Sequence, residues 1–129
     1  MRQRQDEIQV LDQKAAAGIG NWILVEDFRY LTLTIDTASN ANLTVKLVGS
    51  NMENTPDPTA AQSQTNRYDY LQMVDYENSI ATDGDTGFSV SGTDDHRIYN
   101  ANIDGIRWVT LQVTAYSAGN VSAYIKPFN

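Results

Sequence analysis

Apolar and polar positions alternate with a period of two along most of this chain. Leu31, Leu33 and Ile35 alternate with Thr32 and Thr34, and Leu43, Val45 and Leu47 with Thr44 and Lys46. Farther on, Val109, Leu111 and Val113 alternate with Thr110 and Gln112, and Val121, Ala123 and Ile125 with Ser122 and Tyr124. Successive side chains of a strand point to opposite faces, so each of these runs has one apolar face and one polar face. The shared phase predicts an all-β fold, an antiparallel β-sandwich of jelly-roll-like form. Its core holds the named apolar residues, with Thr, Ser, Gln and Tyr outside.

Turn formers divide the pattern into short strands. Trp22 to Glu26 and Phe28 to Asp36 read as strands, and Thr37-Ala-Ser-Asn-Ala-Asn42 reads as the turn of a hairpin returning along Asn42 to Gly49. Ser50 to Asn66 is a long polar stretch in which Pro56 and Pro58 exclude a central strand. Arg67 to Tyr76 reads as one strand, with Leu71 and Met73 on one face and Tyr68, Tyr70, Val74 and Tyr76 on the other. Gly87 to Val90, His96 to Ile103, Ile106 to Tyr116 and Asn120 to Lys126 complete the set. Asp104-Gly105 is a hairpin signal of the type I′ kind, and Ala118-Gly119-Asn120 marks a further hairpin turn.

Residues 1 to 20 differ from the body at 21 to 129. They are rich in Gln and charge, and Ile8, Val10 and Leu11 are the only large apolar side chains before Ile19. The segment reads either as an edge strand over Ile8 to Leu11 or as an N-terminal arm that orders against a neighbouring subunit through Arg2, Arg4 and these apolar residues.

Composition narrows the classes of function. A chain of 129 residues suits one domain with one core. The net charge of −7 argues against nucleic acid, whose phosphates need clustered Lys and Arg. No cysteine is present, which rules out disulfides and thiolate metal sites and suits a protein made in a reducing cytoplasm. The N-terminus lacks the apolar stretch of a signal peptide, and the longest apolar run, Trp22 to Val25, is far too short to span a bilayer. No membrane partner is expected.

Candidate chemistry is sparse. Asp83-Gly-Asp85-Thr-Gly87 with Asp94-Asp95 is the densest acidic cluster. A calcium site is one reading, but the EF-hand pattern is absent and turn chemistry explains the same residues. His96 is the sole histidine, and Asp95 beside it points to the opposite strand face, so the two form no dyad. There is no Gly-x-Ser-x-Gly elbow and no phosphate loop, so no catalytic, metal or cofactor residue is assigned. Trp108 is out of phase with Val109, Leu111 and Val113 and belongs to the polar face. Tyr68, Tyr70, Tyr76, Tyr116 and Tyr124 join it as interface candidates. Trp22, Trp108, Tyr116 and Tyr124 could alternatively make a platform for stacking sugars.

Longer stretches carry a family resemblance. Asp27-Phe-Arg-Tyr-Leu-Thr-Leu-Thr-Ile-Asp-Thr37, Ala41-Asn-Leu-Thr-Val-Lys-Leu-Val-Gly-Ser50, Ala60-Ala-Gln-Ser63 and Arg67-Tyr-Asp-Tyr-Leu71 resemble segments of small tailed-bacteriophage virion proteins. So do Asp83-Gly-Asp-Thr-Gly87, Ser91-Gly-Thr-Asp-Asp95, Asn102-Ile-Asp-Gly-Ile-Arg-Trp108 and Thr114-Ala-Tyr-Ser-Ala-Gly-Asn-Val121. The resemblance implies a non-enzymatic capsid decoration (cement) protein of the virion, made in the bacterial cytoplasm. Its partners would be the major capsid protein and further copies of itself, commonly as a trimer at a capsid symmetry axis. It supplies no catalytic residues and no cofactor. A carbohydrate-binding domain, or a head-fibre or tail appendage, is the alternative.

Overall fold

The computed structural model describes residues 6 to 129. Among these residues every regular element is a strand: β1 (Ile8–Lys14), β2 (Gly18–Ile19), β3 (Ile23–Leu24), β4 (Tyr30–Ser50), β5 (Asp69–Tyr70), β6 (Met73–Asp75), β7 (Ala81–Thr82), β8 (Phe88–Ser91), β9 (His96–Asn102) and β10 (Trp108–Phe128). All the pairings are antiparallel, as the alternation predicts.

Two strands of 21 residues each, β4 and β10, organise the molecule. They pair along their whole lengths, from Phe128 with Tyr30 to Trp108 with Ser50. Midway, both bend. Ser39 and Asn40 take φ of 65° and 55° in β4, while Ala115 and Gly119 take 48° and 80° in β10, where the register shifts twice. Left-handed residues and bulges of this kind turn a ribbon through a corner without ending its ladder. The bend creates two layers from one continuous sheet. The larger runs β1, β10 (residues 118 to 128), β4 (30 to 42), β9, β6, β7; in the smaller, β2 and β3 flank the first half of β10, and β5 and β8 flank the second half of β4.

The expected hairpin over Thr37–Asn42 is therefore corrected. Asn42 to Gly49 does not fold back on Phe28 to Asp36; the turn formers bend one strand, and each half pairs with β10. Ala118-Gly119-Asn120 is likewise a bend inside β10. Asp104-Gly105 does form a turn, closed by Ile106 N–H donating to the Ile103 carbonyl at 2.9 Å. Only Gly105 has positive φ, so the turn is not type I′, and it carries the chain from β9 in the larger layer to β10 in the smaller one instead of closing a hairpin. The expected strand Arg67 to Tyr76 is split in two. β5 pairs with β4 near Val48 and Gly49, whereas β6 pairs with β9 in the other layer. Leu71 makes the crossing, its N–H bonding to the Leu47 carbonyl at 2.8 Å.

The inner faces of both layers meet in one core. Leu31, Leu33, Ile35, Leu43, Val45, Leu47, Val109, Leu111, Val113, Val121, Ala123 and Ile125 are all buried, with Val25, Met73, Phe88, Tyr99 and Ile103 filling between them. Val10 and Leu11 of β1 join this core from the edge of the larger layer, where Ile8 pairs with Ile125 and Leu11 with Ala123. Residues 8 to 14 thus pack on their own body.

Candidate functional site

The polar faces of the two layers, pointing away from the shared core in opposite directions, have different fates. In the smaller layer the polar phase of β10 is Trp108, Thr110 and Gln112, opposite Ser50, Val48 and Lys46 of β4. Residues 51 to 70 fold over this face. The Trp108 indole N–H donates to the Met52 carbonyl at 3.1 Å, and Gln112 Nε2 to the Pro58 carbonyl at 3.2 Å. The Tyr70 hydroxyl donates to Gln112 Oε1 at 2.8 Å, and Lys46 Nζ lies 4.7 Å from the Tyr70 ring centroid. Burial first, then the neighbouring Tyr68, Asp85 and Asp69, raises the pKa of that phenol.

The covering segment is itself ordered around Asn66. Its side chain accepts from Asp57 N–H at 2.8 Å and donates to the Asp57 and Ala61 carbonyls. Tyr68 Oη donates to the Ala60 carbonyl at 2.7 Å, and Pro56 and Pro58 are buried. The long polar stretch is in effect a third layer, and Val48, Thr110 and Gln112 are buried beneath it.

The polar face of the larger layer has no such cover among the described residues. Across its strands run the rows Ser122–Asp36–His96, then Tyr124–Thr34–Ile98, then Lys126–Thr32–Asn100, then Phe128–Tyr30–Asn102. Gln9 of β1 extends the second row beside Tyr124, and Val74 of β6 extends the third beside Asn100. Large apolar groups stand in the open here: Tyr30 is 38% exposed, Ile98 49% and Tyr76, just beyond β6, 56%. Tyr30 stacks on Phe128 with centroids 5.5 Å apart. His96 Nδ1 meets Asp36 Oδ1 as a cross-strand pair, and Tyr76 Oη accepts from Asn100 Nδ2 at 3.3 Å. Charge is scarce on this face, in a chain of net charge −7. A broad, nearly neutral sheet face carrying exposed aromatics and isoleucine has the chemistry of a protein contact surface.

The acidic motifs serve the architecture. Asp94 Oδ1 accepts from Ala41 N–H at 3.2 Å, and the Asp95 carbonyl accepts from Thr37 N–H at 3.1 Å and from Thr37 Oγ1 at 3.1 Å. Ser91-Gly-Thr-Asp-Asp95 thus clamps both sides of the β4 bend. Asp83 closes its own turn, its carbonyl accepting from Thr86 and Gly87 N–H at 3.0 Å and its side chain from Asp85 N–H at 3.0 Å. Among the described residues no three His, Cys, Asp or Glu side chains gather as a metal site would require. At the end of the core, Arg97 bridges Glu77 at 2.6 Å, Asp95 at 3.0 Å and the buried Asp75 at 3.6 Å. Hydrogen bonding to Glu77, then to Asp95, raises the guanidinium pKa.

The interface candidates named from sequence are dispersed. Tyr68, Tyr70 and Trp108 lie under or within the covering segment, and Tyr116 donates its hydroxyl to the Gly119 carbonyl at 2.8 Å in the corner. Tyr124 is on the bare face, beside Gln9 of β1. Val10 and Leu11 are in the core and Ile8 packs against it, while Arg2 and Arg4 lie outside the described residues. Trp108, Tyr116 and Tyr124 do not share a surface, so they make no common stacking platform. The alternation pattern passed over Tyr30, Thr34, Ile98 and Lys126. The available signal was Ile98, an apolar residue in the polar phase of its strand, between Arg97 and the buried Tyr99.

No family model matches the sequence, and no curated protein matches it. In three dimensions the chain is similar to the SPBc2 prophage-derived protein YomS, with a TM-score of 0.70 and 13% identity over 100% of this chain and 96% of that one. It is also similar to the PBSX exported protein XepA, with a TM-score of 0.71 and 12% identity over 99% of this chain but 38% of that one. The corner-folded sandwich is thus a fold also found in phage-derived proteins.

Proposed function

We propose that this chain is a phage-encoded structural protein that works by binding, without catalysis, and that the surface it binds is the outside of the assembled phage head. The observation that carries this reading is the bare face of the larger layer, a six-stranded surface with Tyr30, Ile98 and Tyr76 exposed while the opposite face is covered by the chain itself. Leaving such a face open risks indiscriminate association, so its retention fits a surface that is buried when the particle is complete. The fold shared with two phage-derived proteins supports the phage setting. Binding that exists only on the assembled shell stabilises that shell by mass action, which is the role of a decoration protein.

The test is to add the purified protein to heads of the phage that encodes it, prepared without it, and to measure co-sedimentation and the temperature at which heads burst. Binding with a raised bursting temperature is expected, and Thr34→Arg, in the middle of the bare face, should lose both while keeping a native circular dichroism spectrum. Heads that bind none of the protein, or that bind Thr34→Arg as well as the parent, would refute the reading.

A further inference from the structure

The distribution of charge on the bare face identifies one occupant. Asp36 is in the first row of this face and Lys126 in the third, on the neighbouring strand, since Asp36 pairs with Ser122 and Thr32 with Lys126. Four residues of extended chain separate the two rows, about 14 Å at roughly 3.4 Å per residue. The middle row, Tyr124–Thr34–Ile98, is uncharged. Lys126 has no carboxylate partner among the described residues, although the protein carries sixteen acidic side chains against nine basic ones.

We propose that this face is covered by the same face of a second copy, the two related by a two-fold axis along the middle row. This inference rests on the reading above, that the bare face is a protein contact, and adds what covers it. Rotation about that axis reverses the strand direction and lays the Lys126 row of one copy over the Asp36 row of the other. Each Lys126 then comes beside the partner copy's Asp36, twice per interface, and neutral residues of the middle row meet their own equivalents. That is the self-complementarity an isologous contact requires. The near-neutral face is also where two copies of net charge −7 can approach with least repulsion.

The area suffices. Four strands of seven residues at about 4.8 Å spacing, with the three-residue β6 beside them, give a face of about 500 Å². A face of that size buries about 500 Å² per copy and about 1,000 Å² in the pair, at the lower limit of what a specific interface needs. A dimer of micromolar stability is expected, weak enough to open when the same face meets the head, so that self-pairing in solution and head binding exclude each other.

Sedimentation equilibrium of the purified chain without heads tests this. Dimerisation is expected, weakened about tenfold by Asp36→Lys and about tenfold by Lys126→Glu, and restored in the double variant Asp36→Lys/Lys126→Glu, where the pair is re-formed with signs exchanged. Thr34→Arg should be monomeric because the axis brings its two copies face to face. A protein that is monomeric at 100 μM, or a double variant no tighter than either single one, overturns the inference. Circular dichroism melts confirm that each variant is folded. The two readings fail separately: a monomer that still decorates heads through Thr34 refutes the two-fold pair alone, whereas a dimer that never binds heads refutes the head-binding reading alone.

Discussion

Replacing Gly119 by alanine should show how tightly the two bends are locked together. Gly119 has φ of 80°, and a methyl group there would sit 2.5 Å from Ala41 Cα and 2.7 Å from the Ala38 carbonyl oxygen. Two separate costs follow. Holding a non-glycine residue in the left-handed region costs about 1–2 kcal/mol. The overlap adds about 1–3 kcal/mol, because the atoms struck are the backbone of the opposing bend, itself clamped by Asp94 and Asp95, and cannot rotate away. Gly105 supplies the control: its φ is 88°, but nothing lies within 4 Å of the added methyl. Gly105→Ala should therefore lose about 1–2 kcal/mol and Gly119→Ala about 2–5 kcal/mol, a large share of the roughly 5–15 kcal/mol typical of a domain. Urea unfolding, followed by circular dichroism and by Trp fluorescence, measures both, with unchanged slopes showing that the transition stays two-state. If the two variants are equally destabilised, the bends do not pack as described and the corner is not what joins the layers.

Other consequences are independent of the corner. Gln112→Ala strands both the Tyr70 hydroxyl and the Pro58 carbonyl, so it should cost about 1–3 kcal/mol and speed limited proteolysis at residues 59 to 65, read by mass spectrometry. Asp94→Ala removes the acceptor for Ala41 N–H and should cost about 1 kcal/mol in the same urea assay. Burial raises the Tyr99 pKa above 10.0. Its contribution is therefore complete below the unfolded value near 10 and lost as pH rises through the higher folded value, so stability measured from pH 9 upward should fall less steeply in Tyr99→Phe. Asp57 has the opposite sign. Hydrogen bonds from the Thr59 hydroxyl and N–H lower its pKa, so its contribution is present above the unfolded value near 4 and disappears as pH falls through the lower folded value. Thr59→Ala should return the Asp57 carboxyl titration, followed by NMR, toward the ordinary range.

Burial of particular side chains was legible in the sequence because it depends on phase alone. A residue of a strand with one buried face has its side fixed by parity, and every apolar residue assigned to the core on that ground, from Leu31 to Ile125, is buried. Turn chemistry was legible only in part. Ser39-Asn40 and Gly119 adopt the left-handed backbone their identities suggest, but the same conformation serves a hairpin loop or a bend within one strand. Which of the two forms is decided by the partner. β10 breaks its ladder opposite the β4 break, so both strands run on through the corner, and that match links residues about 80 positions apart.

Exposure of the polar faces was beyond the sequence for a related reason. Thr110 with Gln112 and Thr32 with Thr34 carry the same alternation and the same kinds of side chain. In the first pair Gln112 is buried beneath residues 51 to 70, which hydrogen-bond to it, and Thr110 donates to the Asn21 carbonyl, whereas the second pair is left open. The aromatic residues chosen as interface candidates illustrate the limit, since Trp108 and Tyr70 on the clad face and Tyr124 on the bare face looked alike along the chain. Periodicity determined which side of each strand faces the core. Only the folding of a distant loop onto one outer face, where its buried polar groups found partners, decided which surface the protein presents to others.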